Sequence, residues 1–262
     1  MTVDLLRLDS AFAGAKRDQR VALIPYLVAG YPDLGTSRRV ALAVIEAGAD
    51  VLELGVPFSD PLADGATIQR ASERALAAGT RLRDVIALGR ELRRASDVPL
   101  LLMGYANPFY RYGLEALASD LAGAGIDGVI VPDLPHEESG ELAAAFRPKR
   151  LVQIGLVAPT TPDDRLAALV ASARGFVYCV SLTGVTGARA TLAEDVASFV
   201  SRVRRYATAP IAVGFGISRP EHVHALRGVA DAVVVGSAIV EAAEGGPERV
   251  ARLVRALREA CA

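Results

Sequence analysis

Tryptophan is missing from this 262-residue chain, and aromatic side chains make up 5% of it. Each aromatic at the end of an apolar run therefore carries more weight than a Phe or Tyr in an average core. Lysine is nearly missing as well: Lys16 and Lys149 are the two, and every other basic side chain is an arginine. Cysteine is confined to Cys179 and Cys261, far apart and without CxxC spacing. That excludes a disulfide framework or a structural zinc site and fits a reducing cytoplasm. Histidine occurs at 136, 222 and 224. His222 and His224 are two residues apart on an expected helix and do not share a face, and His136 sits near a helix start, so these histidines read as surface residues and no metal is implied. Neither sign of charge dominates: 29 basic against 30 acidic side chains leave a net charge of −1, with no electrostatic footprint for nucleic acid or an anionic membrane. No apolar run is long enough to span a bilayer. The opening MTVDLLRLDSAFAGAKRD reads as an amphipathic helix without the apolar core of a signal peptide, so the chain is expected to be cytoplasmic.

What is abundant is Val, Ile and Leu in short clusters. Eight such runs occur, at 21–28, 50–55, 98–104, 127–132, 151–157, 175–180, 209–213 and 231–236. Each is followed by an Ala-, Leu- and Arg-rich segment of helical period, the alternation of βα units around a parallel sheet. An open doubly wound sheet normally carries a Gly-rich turn after its first strand, whereas the first run here leads into AGYPD at 29–33. A closed (β/α)8 TIM barrel with an extra N-terminal helix is the better reading, as one domain over residues 1–262. No linker or internal repeat suggests a second domain. In such a barrel the chemistry lies at the C-terminal ends of the strands. Lys16 and Lys149 precede strands, so a Schiff-base mechanism has no lysine where it needs one.

LELGVPFSDPLADGATIQ at 52–69 leaves the second run for an unusually long connection, and long structured loops in compact domains are usually functional. Alternation puts Val51, Glu53 and Gly55 on one side and Leu52 and Leu54 on the other. With the leucines packed outward on helices, Glu53 points into the barrel, where desolvation raises a carboxyl pKa and suits an acid–base. The competing reading is a structural carboxylate paired with a buried arginine, or the reversed register. Ser59, Asp60 and Asp64 follow in the loop. An Asp in a Pro/Gly-rich loop is commonly a turn or cap residue, and Asp64 could cap a helix beginning near Ala66.

Barrels that hold phosphorylated ligands use the loops after strands seven and eight, where backbone N–H groups converge on an anion. GFGIS at 214–218 and GSAIV at 236–240 occupy those places, with Gly216, Gly236 and Ser237 as candidate donors; the plainer alternative is that the glycines merely end strands. SLTGVTGAR at 181–189 could be a lid or a surface connection. Tyr26, Tyr105, Tyr178 and Phe215 fall at strand ends, where they either pack the barrel or line an apolar site.

The stretch LELGVPFSDPLADG at 52–65 closely resembles the signature of the tryptophan synthase α subunit. The resemblance continues through MGYANPFYRYG at 103–113, GVIVPDLPHEES at 128–139, LTGVTGAR at 182–189, VGFGIS at 213–218 and VVGSAIV at 234–240, six blocks in order over nearly the whole chain. It implies a lyase that splits indole-3-glycerol phosphate into indole and glyceraldehyde 3-phosphate by acid–base retro-aldol chemistry. Glu53 aligns with the catalytic glutamate and Asp64 with the catalytic aspartate. Thr186 aligns with a loop residue that contacts the aspartate on closure, Gly187 lies near the phosphate, and Asp133 helps hold the closed loop. Tyr26, Tyr105, Tyr178 and Phe215 align with the indole pocket; Tyr26 departs from an expected phenylalanine. The resemblance further implies an αββα heterotetramer with a β subunit. That subunit carries pyridoxal phosphate, with no cofactor on this chain, and it is met through Pro57, Asp60, Pro61 and Asn107, taken as exposed loop residues. A stand-alone lyase, a catalytically dead regulatory barrel and a phosphosugar isomerase sharing the phosphate cup remain alternatives.

Overall fold

Period-two burial along the apolar runs sorts their side chains into two cores. Leu23, Leu52, Leu54, Leu100, Leu102, Val177, Val213 and Val233 belong to an outer set that packs against helices. Ile24, Val51, Leu101, Ile130, Ile154, Phe176, Ala212 and Val234 form an inner set. Such a division requires a sheet covered by helices on one face and curled onto itself on the other. The computed structural model, which describes residues 6–180, 189–214 and 216–262, has this form: a closed parallel barrel in strand order one to eight.

The strands are β1 (Ala22–Val28), β2 (Leu52–Gly55), β3 (Leu100–Met103), β4 (Gly128–Ile130), β5 (Val152–Val157), β6 (Val177–Val180), β7 (Ile211–Gly214) and β8 (Ala232–Val235). β8 closes on β1 through Ala22↔Ala232 to Pro25↔Val235. All eight expected runs are strands, trimmed by up to a few residues at their ends, except that β7 runs one residue past its expected end to Gly214. The helices, in chain order, are α1 (Leu6–Arg17), α2 (Leu34–Glu46), α3 (Ala66–Ala77), α4 (Leu82–Ala95), α5 (Ala106–Tyr112), α6 (Leu114–Ala124), α7 (Gly140–Phe146), α8 (Asp163–Ser172), α9 (Arg189–Arg204), α10 (Pro220–His224), α11 (Ser237–Ala243) and α12 (Pro247–Ala260). None is long and apolar enough to cross a membrane.

The expected extra helix, α1, closes the lower end of the barrel. Leu8, Phe12 and Ala15 join the inner core, with the Phe12 ring 5.6 Å from Phe176. Burying Leu8 and Phe12 contributes on the order of 1.5–3 kcal/mol each.

Three aspartates fasten the same end. Asp50, Asp127 and Asp231 stand just before β2, β4 and β8. Each accepts a backbone N–H from the start of a neighbouring strand, Leu23, Leu100 and Ile211 respectively, at 2.8 Å. Each is also held by arginine: Asp50 by Arg20 through two bonds of 2.7 Å, Asp127 by Arg7 at 2.8 Å and Arg93 at 3.1 Å, and Asp231 by Arg204 at 2.6 Å. A charged acceptor with a guanidinium donor is a strong hydrogen-bonding unit. The glycines that precede these aspartates, Gly48, Gly125 and Gly228, all have positive φ, as the reversal from helix to strand requires.

Candidate active site

On β2 the sequence LELG puts one ionisable side chain in an apolar barrel. Leu52 and Leu54 face the helices, so the neighbouring residue must face inward. Glu53 is 0% exposed, and neither of its carboxylate oxygens has a hydrogen-bond partner among the described residues. An ionised carboxylate without donors is costly in such a place, and burial pushes the Glu53 pKa up to about 8. The competing arginine-paired reading fails: the arginine-paired carboxylates of the barrel described above lie at the other end.

Glu53 stands level with Tyr26 on β1 and Leu101 on β3. Tyr26 and Tyr178 are buried, and their phenols titrate well above the ordinary value, chiefly through burial and then through the nearby carboxylates. Glycine makes room for both rings. A methyl group on Gly55 would lie 2.1 Å from the Tyr26 hydroxyl, and one on Gly214 would lie 2.6 Å from the Tyr178 ring. That role for the two glycines was not legible in the sequence, because the close approach involves residues distant in the chain. Phe215 lies outside the described residues.

Asp64 sits on the connection from β2 to α3. The helix begins at Ala66 as expected, but its N-cap is Gly65, without a side-chain bond, so Asp64 is not the cap it could have been. Instead the Asp64 carboxylate feels the nearby Tyr105 hydroxyl. Burial raises its pKa to about 6, with the Tyr105 hydroxyl working in the opposite direction. Tyr105 also accepts the Ala63 N–H at 2.9 Å and stacks on Phe58 with ring centroids 5.1 Å apart. Tyr105, expected among pocket aromatics, thus fastens the loop that carries Asp64. Gln69 closes the loop from the other side, donating to the Asp64 carbonyl at 2.9 Å. Ser59 hydrogen-bonds Asp60.

The turns after β7 and β8 border this wall. Gly216 has φ +62, with open space where a side chain would be. Gly236 caps α11, its carbonyl accepting from Ile239 and Val240 at 2.9 and 3.0 Å. Ser237, the first residue of α11, is exposed, and N–H groups of a first turn lack partners within their helix. A Cβ on Gly236 would meet Tyr26 and Ile68 at 3.8 Å, so this turn adjoins the aromatic wall. Thr186 and Gly187 lie outside the described residues. Asp133, exposed beyond β4, accepts the Ala106 N–H at the start of α5 at 2.9 Å.

Among the expected docking residues, Asp60 and Asn107 are exposed and Pro61 is half-buried, but Pro57, taken as exposed, is buried. It backs a small cleft with Thr80, Leu82 and Pro108. The exposed feature that the sequence reading passed over is Leu62, 93% accessible on the same loop. His224 is exposed as expected, while His222 is half-buried and accepts the Ser218 N–H at 3.3 Å, a local bond that replaces solvent. Among the described residues no group of three or more His, Cys, Asp or Glu side chains is placed to hold a metal ion.

An unpaired acid on β2, with a second carboxylate carried on the adjoining loop, gives this barrel the equipment of a lyase that works by proton transfer. The comparisons with known proteins make that particular. The family described as tryptophan synthase alpha chain matches residues 12–262. The alpha chain of Roseiflexus castenholzii is 52% identical over 96% of this chain and 99% of its own length, and that of Synechococcus elongatus is 48% identical over 97% and 96%. A solved structure of Mycobacterium tuberculosis tryptophan synthase superposes with a TM-score of 0.92 at 42% identity, covering 97% of this chain and 98% of that one. The chain belongs to the tryptophan synthase alpha chain family. The phosphosugar isomerase reading is not favoured.

Proposed function

We propose that Glu53 and Asp64 divide between them the chemistry of the family's α reaction, the cleavage of indole-3-glycerol phosphate to indole and glyceraldehyde 3-phosphate. Protonated Glu53 delivers its proton to indole C3. The ring becomes cationic, and the Asp64 carboxylate, facing the ring N–H, stabilises that charge. The Glu53 carboxylate then takes the proton of the side-chain hydroxyl. The electrons of the breaking C–C bond return to the ring, which leaves as indole, while the alcohol carbon becomes the aldehyde carbonyl. Glu53 ends protonated, ready for another turnover. The observation that carries this reading is a fully buried glutamate whose two oxygens have no partner among the described residues and whose pKa is raised to about 8, which keeps the proton on the acid at neutral pH.

The remaining residues take supporting roles. Tyr26, Tyr178 and Phe215 hold the indole ring, and Tyr105 acts through the loop it fastens. Gly187, Gly216, Gly236 and Ser237 receive the phosphate. Thr186 closes on Asp64, and Asp133 steadies the closed segment. The whole chain, 1–262, works as one cytoplasmic domain. Family membership implies a β-subunit partner; the arrangement is αββα, with pyridoxal phosphate held by β alone. Asp60, Pro61 and Asn107 meet that partner, and Pro57 supports them from beneath.

The test is indole release from indole-3-glycerol phosphate by the purified chain and by Glu53→Gln, each with and without β. Activity that rises with β and vanishes in Glu53→Gln is expected. Indole release by the variant at the wild-type rate overturns the assignment of Glu53, and no indole under any condition overturns the reaction.

A further inference from the structure

The lower end of the barrel holds a cleft of about 510 Å³, within the size range of small-molecule sites. Its walls are α1, the turn before β1, the turns leading into β7 and β8, and Cys261. Four cations line it, Lys16, Arg20, Arg204 and Arg227, against two carboxylates, Asp9 and Asp231. Structural pairing accounts for two of the cations: Arg20 is held by Asp50, and Arg204 by Asp231. Lys16 and Arg227 make no ion pair among the described residues. The side-chain neighbour of Arg227 is a ring nitrogen, His224 Nδ1 at 3.2 Å. The floor is apolar, built from Phe12, Val21, Ala230 and Cys261, all buried. Two unpaired cations over such a floor fit an anionic group attached to an apolar body, because the anion gains charged donors while the body leaves water.

We propose that this basal cleft is a binding site for a small organic anion, a carboxylate or phosphate monoester on a compact apolar group, with Lys16 and Arg227 as its charge partners. The cleft shares no lining residue with the wall around Glu53, so occupancy here and substrate binding there are separable.

The experiment is a titration of the isotope-labelled full chain with phenyl phosphate, benzoate and inorganic phosphate, followed through backbone amide NMR shifts. Saturable shifts at Lys16, Thr208 and Gly228 are expected, with phenyl phosphate binding at least tenfold tighter than inorganic phosphate. They should persist in Glu53→Gln. In the double variant Lys16→Gln/Arg227→Gln binding should weaken at least tenfold while indole release stays unchanged, and Lys16→Arg should bind as the unaltered chain does. Shifts confined to Gly216, Gly236 and Ser237 would place the anion at the other end and overturn the proposal, as would no shifts at all. Equal affinity in the double variant would overturn it too. Equal binding of phenyl phosphate and inorganic phosphate would remove the floor from the site.

Discussion

The two ends of the barrel treat carboxylates in opposite ways. Below, Asp50, Asp127 and Asp231 each have an arginine and a strand N–H. Above, Glu53 has neither an arginine nor any hydrogen bond among the described residues. A paired carboxylate is fixed in charge and position and serves as a fastening. An unpaired one in an apolar wall keeps a proton that it can lend. The same functional group therefore does structural work or chemistry according to its donors, and the barrel separates the two uses by its length.

The sharpest way to break this contrast is to remove the proton from the upper end. Glu53→Gln should lower kcat for indole release about 10³–10⁴-fold, the upper part of the range for general acid–base catalysis. Its effect on stability should have the other sign. The native chain keeps the Glu53 proton up to about pH 8, whereas the unfolded chain releases it near 4.5. Between those values the folded state binds more protons, so wild-type stability should fall as pH rises through the window, by up to about 5 kcal/mol. Glu53→Gln should flatten that slope, measured by urea unfolding at pH 5 and pH 8. Equal slopes in the two proteins would show that Glu53 is not held neutral by the fold.

Asp64 comes next, since it must be ionised while Glu53 is protonated. With Asp64 titrating at about 6 and Glu53 at about 8, kcat should be highest between those values, falling below pH 6 as Asp64 gains a proton and above pH 8 as Glu53 loses one. Asp64→Asn should cost about 10²–10³-fold in kcat, comparable with removing one charge-stabilising group. It should also abolish the acidic limb while leaving the basic one. A variant that keeps both limbs would assign the acidic limb to another group.

The lower end should respond in the reverse manner. Asp50→Ala leaves the Arg20 guanidinium, 8% exposed, with the exposed Asp18 at 3.2 Å in place of its bidentate partner, and Leu23 N–H without its acceptor. A loss of about 2–3 kcal/mol of stability is expected, with kcat within twofold of wild type at a temperature where the variant stays folded. A large fall in kcat in a folded Asp50→Ala would show that the ends are coupled.

These contrasts were unequally legible in the sequence. The eight strands were, because clusters of Val, Ile and Leu separated by helical periods leave few other folds. The inward direction of Glu53 followed from period two and its leucine neighbours. The aspartate fastenings were visible only as Asp at the head of three runs, at 50, 127 and 231. Their partners lie 20 to 34 residues away, or in α1 for Arg7. The same fastenings explain the trimmed strand starts at β2, β4 and β8. Loop chemistry was least legible: Pro57 is buried beside a cleft lined by Leu76, Thr80 and Leu82 from the α3–α4 region, and the Asp64 carboxylate is tuned by Tyr105, 41 positions later.

That last contact gives the smallest and most discriminating effect. Tyr105→Phe retains the ring stacked on Phe58 and removes the hydroxyl that accepts the Ala63 N–H and lowers the Asp64 pKa. About 1 kcal/mol of stability should go with it. Because the lost hydroxyl lowers the Asp64 pKa, the acidic limb of the kcat profile should move to higher pH, with the basic limb set by Glu53 unmoved. A loop role and a pocket role for Tyr105 part here. Were the hydroxyl to act on substrate instead, KM would rise at every pH and the limb would stay where it was.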